Sequence, residues 1–143
     1  MVTIVNVSEV AVVTALQAVV DSAIVPNIYQ SDVASIKDNP PWIVVHGDNY
    51  EEWVGPGSGI FKVPIECLFR SHVKETSPAN RDAVVSQINN FIYNSPAANL
   101  SLTANYFCYG FVPTSGEMKV DTEKKTYDYV VRFDLYCMPR DNS

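Results

Sequence analysis

The residue types able to do chemistry in this chain are few and widely spaced. His46 and His72 are its 2 histidines. Each closes an apolar run, and His46 precedes Gly47-Asp48. A His–Asp pair with Ser58 or Ser71 as nucleophile is therefore the hydrolytic arrangement to consider. The G-x-S-x-G elbow that lifts a serine to the top of a sheet is not present. A histidine at the end of a strand is by default a surface residue. Asp48, Glu51 and Glu52 supply carboxylates of the kind hard divalent cations bind, but not at EF-hand spacing, so a solvated loop is the simpler reading. Gly55-Pro56-Gly57-Ser58-Gly59 invites a phosphate-loop reading, yet Walker chemistry needs Gly-Lys-Ser/Thr opening a helix, and here Ile60-Phe61-Lys62 opens a strand. The 3 cysteines, Cys67, Cys108 and Cys137, are an odd number without C-x-x-C spacing. They predict packed, reduced thiols rather than a disulfide framework or a zinc site. The residues thus assign no catalytic set, no metal site and no cofactor.

Composition narrows the classes further. A chain of 143 residues with 47% hydrophobic and 18% charged residues predicts one domain over 1–143 with ample apolar surface for a core. Its formal net charge of −6 repels phosphate backbones and anionic lipid, which disfavours a nucleic-acid binder. The most apolar stretch, residues 10–25, is broken by Thr14, Gln17, Asp21 and Ser22, so no membrane span is expected. The first residues lack the basic n-region and cleavage site of a secretory signal, which predicts a protein made and kept in a cytoplasm.

The elements that must position these residues follow from periodicity. Ser8-Glu9 reads as an N-cap with an acidic first turn, opening a helix over residues 9–24 that Pro26 closes. Its apolar positions form two stripes, one through Val12, Leu16, Val19 and Ala23 and another through Val10, Val13, Val20 and Ile24. Either the helix sits deep in its own core, or the second stripe, Val10 with Val13, Val20 and Ile24, faces another subunit. A strand at 42–46 is buried on both faces. The connection over residues 47–59 is longer than a tight hairpin and carries Tyr50 and Trp53, which either anchor a partner or fold back onto the chain.

From Ile60 the alternation is regular, with Phe61, Val63, Ile65, Cys67 and Phe69 on one face and Lys62, Glu66 and Arg70 on the other. Pro64 marks an edge, bulge or bend there. Ser77-Pro78 opens a second helix over 78–94, which Asn94-Ser95-Pro96 stops. Strands follow at 106–112, at 118–120 beyond a Pro113-Thr114-Ser115-Gly116 turn, and from Tyr127 to the C-terminal region. The last two are joined by a solvated tip containing Lys124 and Lys125. Aromatics fall on both faces of these strands, as expected if helices cover one face and a neighbouring subunit the other. The fold class is α+β, two helices packed on a mostly antiparallel β-sheet.

In this layout the chain resembles the tail terminator (tail completion) proteins of long-tailed bacteriophages. The resemblance lies in the helix ending at Ile24-Val25-Pro26-Asn27-Ile28-Tyr29, the strand Trp42-Ile43-Val44-Val45-His46, a long loop, and the strand Gly59-Ile60-Phe61-Lys62-Val63-Pro64-Ile65-Glu66-Cys67-Leu68-Phe69-Arg70. The helix at 78–94 and a closing hairpin complete it. It implies a non-enzymatic virion protein at the head–tail junction, a six-membered ring of copies of itself that caps the tail tube and meets the head-side connector or stopper, with DNA passing through without specific binding. Candidate interface residues on this reading are Val13, Val20, Ile24, Tyr50, Trp53, Lys124 and Lys125. The alternatives are a head-side connector or stopper of the neck, a small cytoplasmic hydrolase using His46 or His72, and a ligand-binding domain with a compact apolar pocket.

Overall fold

A computed structural model of the protein describes residues 4–30, 36, 39–52, 59–94 and 106–139. The first helix, α1 (Ile4–Val19), begins and ends about five residues earlier than its sequence signals predict. Ser8 is no cap: it is buried one turn inside the helix, and its hydroxyl donates to the Ile4 carbonyl at 2.8 Å. Glu9 is buried as well, aimed at the sheet rather than at the helix N-terminus. Ile4, Val7, Ala11, Val12 and Leu16 form one continuous inward stripe, and that burial sets the helix position against the weaker local signal of Ser8-Glu9. Beyond Val20 the chain turns, the Asp21 carbonyl accepting the amides of Ile24 and Val25, before Pro26 is reached.

Among the described residues six strands form a single sheet. β1 (Ile28–Gln30) runs parallel to β2 (Trp42–Gly47), and β2 is antiparallel to β4 (Phe61–His72). The two-residue β3 (Glu51–Glu52) pairs with the start of β4, inside what the sequence presents as an uninterrupted loop. Pro64 lies where the neighbour of β4 changes from β2 to β3, and its carbonyl accepts the Asp48 amide at 2.9 Å. A residue without an N–H suits that gap.

The second helix, α2 (Pro78–Asn94), occupies the predicted span, with the Ser77 hydroxyl capping the Asn80 amide at 3.1 Å. The closing β-structure differs from expectation. Residues 106–112 and 118–120 belong to one 16-residue strand, β5 (Tyr106–Asp121), which pairs with β6 (Thr126–Pro139). Pro113-Thr114-Ser115-Gly116 is not a turn: the chain takes up Thr114 as an extra residue in a bulge between Pro113 and Ser115, one of two register shifts in β5. A proline and a bulge are tolerated because β5 is an outermost strand.

The strand order is β1-β2-β4-β6-β5, mostly antiparallel, with both helices on one face. Ile43, Val45, Val63, Ile65, Cys67, Phe69, Val131, Phe133, Leu135 and Cys137 meet Val12, Leu16, Val84, Ile88, Phe91 and Ile92 in one core. Phe133 stacks on Phe111 at 4.3 Å between centroids, and Phe111 meets Phe91 edge-on.

Candidate functional site

The polar side chain most firmly built into the fold is the Glu9 carboxylate. One oxygen accepts the Gly47 amide at 2.6 Å and the other accepts the Gln30 amide group at 3.1 Å, so α1 is tied to β2 and β1 at once. Gln30 also donates to Asn6. Gly47 is required for this approach, because a Cβ there would stand 2.5 Å from Val5 Cγ1 and 3.2 Å from Glu9 Cγ. His46 Nδ1 lies 4.0 Å from the same carboxylate, and the imidazole is half exposed. The sequence marked Glu9 only as an acidic first-turn residue, since its partners come from two strands far along the chain.

His46 opens onto a cleft of about 160 Å³ with Asp48, Glu66, Thr114, Arg132 and Asp134. Arg132 donates to Glu66 at 2.9 Å and lies 3.4 Å from Glu117, which neutralises the cleft's strongest cation. His72 cannot work with Ser71. Adjacent strand residues face opposite sides of the sheet, and Ser71 is fully buried on the helix side, its hydroxyl without a hydrogen-bond partner among the described residues. Ser58 and residues 53–57 before it lie outside the described residues. Glu51 is drawn to Lys62 at 3.5 Å across the β3–β4 pair, and Glu52 accepts the Gly59 amide at 3.3 Å. Among the described residues, no three His, Cys, Asp or Glu side chains converge as a metal site.

The sheet face away from the helices is of two kinds. At one side Trp42, Val44, Leu68 and Val130 are buried with Tyr29 and Ile36 against them. Across the rest runs a ladder of cross-strand ion pairs: Lys62 with Asp134 at 3.8 Å, Glu66 with Arg132, and Arg70 with Asp128 through two bonds of 2.8 Å. The hydrogen bond to Asp128 is the main reason the Arg70 guanidinium is held even more firmly charged than usual. Arg70 also lies over the Trp42 ring at 5.2 Å. The alternation that set Lys62, Glu66 and Arg70 apart from the core side chains thus becomes a face paired within the chain.

The candidate interface residues scatter. Val20 is only 6% exposed, in the chain's own core, because the turn after α1 folds it inward. Val13 and Ile24 are half-buried against the same core, and the valines that α1 exposes are Val10 and Val19. Tyr50 is exposed and meets Phe61 edge-on at 5.6 Å. Trp53 lies outside the described residues. Lys124 and Lys125 border a recess with His72, Lys74 and Glu75, at the end of β4 opposite Glu51 and Glu52. Lys125 stands in the left-handed region at φ 56°, closing the hairpin, and the Asp121 carboxylate accepts the Glu123 and Lys124 amides.

Reading by sequence missed the exposed apolar residues of β5. Val112, Met118 and Val120 are 46%, 52% and 58% exposed. Residues 116–121 alternate strictly, with Gly116, Met118 and Val120 opposite Val131, Tyr129 and Tyr127, and Glu117, Lys119 and Asp121 on the charged face. Cys67, Cys108 and Cys137 are free and buried, all on the helix side. Desolvation pushes all three thiols up, Cys108 to about 12.

No family model matches the chain, and no curated protein sequence does. Among solved structures it is similar to a chain from the "Virion of native gene transfer agent (GTA) particle", at 11% identity and a TM-score of 0.44, covering 89% of this chain and 84% of that one.

Proposed function

We propose that this protein is a structural component of a long-tailed phage virion, one that assembles as a six-membered ring, caps the tail tube and joins it to the head-side connector. The reading rests first on the order of elements, α1, a core strand, a long connection, the 12-residue β4, α2 and a closing hairpin, which resembles the layout of tail terminator proteins. Two further features support it. The hairpin ends in Lys124 and Lys125 beside Lys74, and among the described residues none of these three ammonium groups has an ion-pair partner within 4.0 Å. The connection after β2 carries the exposed Asp48, Glu51 and Glu52 at the other end of β4. Surfaces at opposite ends of a subunit make heterologous contacts, the kind that close a ring. A net charge of −6 also suits a channel through which DNA must slide, since like charge disfavours phosphate contacts.

The test is native mass against protein concentration, with negative-stain imaging of the protein alone and mixed with tail tubes. Six copies of a 15.9 kDa chain give about 95 kDa, and the expected result is a ring of that mass seated on tube ends. A strict monomer that binds no tube at any concentration overturns the proposal.

A further inference from the structure

The two borders of the sheet are treated differently, and the outer border of β5 is where the molecule leaves work undone. Among the described residues no strand pairs with that border. Residues 115–121, beyond the second bulge, run in regular register with β6 and present a free row of backbone donors and acceptors. On the helix side this stretch shows Gly116, Met118 and Val120, with the Tyr127 hydroxyl donating to Met118 Sδ at 2.8 Å; on the other it shows Glu117 and Lys119, 3.4 Å apart and both well exposed.

A free edge with an apolar row takes another strand, and the residues say which one. If a second copy of this chain pairs antiparallel about a two-fold axis normal to the sheet, both helix layers stay on one side and only like faces meet. Centring the axis on Met118 sets each Glu117 opposite the other copy's Lys119, Met118 against Met118, and each Val120 over Gly116, whose missing side chain leaves it room. Shifting the axis one residue either way puts Glu117 opposite Glu117 or Lys119 opposite Lys119. The charges therefore select one register among those that keep this stretch paired.

We propose that residues 115–121 of β5 form an isologous edge-to-edge contact with the same residues of a second copy, centred on Met118 and specified by reciprocal Glu117–Lys119 pairs. This contact stands apart from the ring reading. It uses the side border of the sheet rather than the ends of β4, and it joins two protomers whether they are free or belong to separate rings.

The experiment is a charge swap read by sedimentation over a range of concentrations. Wild-type protein is expected to dimerise reversibly. Lys119→Glu and Glu117→Lys each turn both cross-strand pairs repulsive and are expected to weaken self-association on the order of tenfold. An equimolar mixture of the two variants restores opposite charges across the axis and is expected to recover a heterodimer of wild-type affinity, which misfolded variants cannot do. A wild-type protein without any dimer overturns the proposal, as does self-association that neither variant weakens. Rings that persist unchanged in both variants, with no dimer, overturn this contact and leave the ring reading standing. A swap-sensitive dimer that never forms rings supports the contact while the ring reading fails.

Discussion

The two borders of the sheet differ in length, in polarity and in how each is finished. At one border β1 is three residues long and is held by side chains of α1, with Glu9 and Asn6 accepting from Gln30. At the other, β5 is 16 residues long, bulged twice, and exposes Val112, Met118 and Val120. Proteins usually blunt a long edge with charge, proline or bulges. β5 has all three in Pro113, its two register shifts and Lys119, yet residues 116–121 remain regular and amphipathic. One border is short and tied to α1 through its side chains, and the other is long, amphipathic and, on our proposal, kept for a partner.

Breaking the finished border has the largest effect. Glu9→Ala strands the Gly47 amide and Gln30 together and is expected to cost about 2–3 kcal/mol of unfolding free energy by urea titration, with faster amide exchange at residues 28–30. Gly47→Ala attacks the same junction by overpacking against Val5 and is expected to cost about 1–3 kcal/mol. Between the borders, Asp128→Ala leaves the half-buried Arg70 without its two-point acceptor and is expected to cost about 1–2 kcal/mol without changing self-association. On the open border, Val120→Thr changes stability by less than about 0.5 kcal/mol, because the residue touches solvent, but weakens the dimer in sedimentation.

A further effect is confined to alkaline solution. Burial raises the Cys108 thiol from its ordinary 9.0 to about 12, and Cys67 and Cys137 are raised too. The unfolded chain therefore loses these protons first, so the stability they support is complete below about pH 9 and declines as pH rises toward 12. The urea midpoint should fall over that window. In thiol labelling near pH 9, Cys108 on the border strand should react before Cys67 in β4.

Where local chemistry decided the structure, the sequence was legible. Ser77-Pro78 and Asn94-Ser95-Pro96 bracket α2, and the alternation from Phe61 onward marks both β4 and the charged partners of its outer face. Where distant contacts decided it, the reading slipped. Ser8-Glu9 carries the local chemistry of a helix start, but Glu9 is claimed by Gln30 and Gly47 and Ser8 by the Ile4 carbonyl, so α1 begins earlier and Val20 turns inward. Pro113-Thr114-Ser115-Gly116 has turn composition, but pairing with β6 on both sides of it holds the chain extended and reduces the break to a bulge. The same error hid the candidate contact, because a turn at 113–116 cuts off the stretch whose exposed edge matters. Lys124 and Lys125 were proposed from their place at a polar tip, while Lys74, which borders the same recess, is brought beside them by the long-range pairing of β4 with β6.

The most direct test of the contrast between the borders is residue-resolved amide hydrogen exchange at low and high protein concentration. If β5 is completed by a second copy, alternate amides of residues 115–121, those directed away from β6, exchange freely in dilute protein and become protected as concentration rises, while residues 28–30 and 43–45 do not change. Protection of 115–121 that is already complete at the lowest concentration, or that never changes with concentration, contradicts the account.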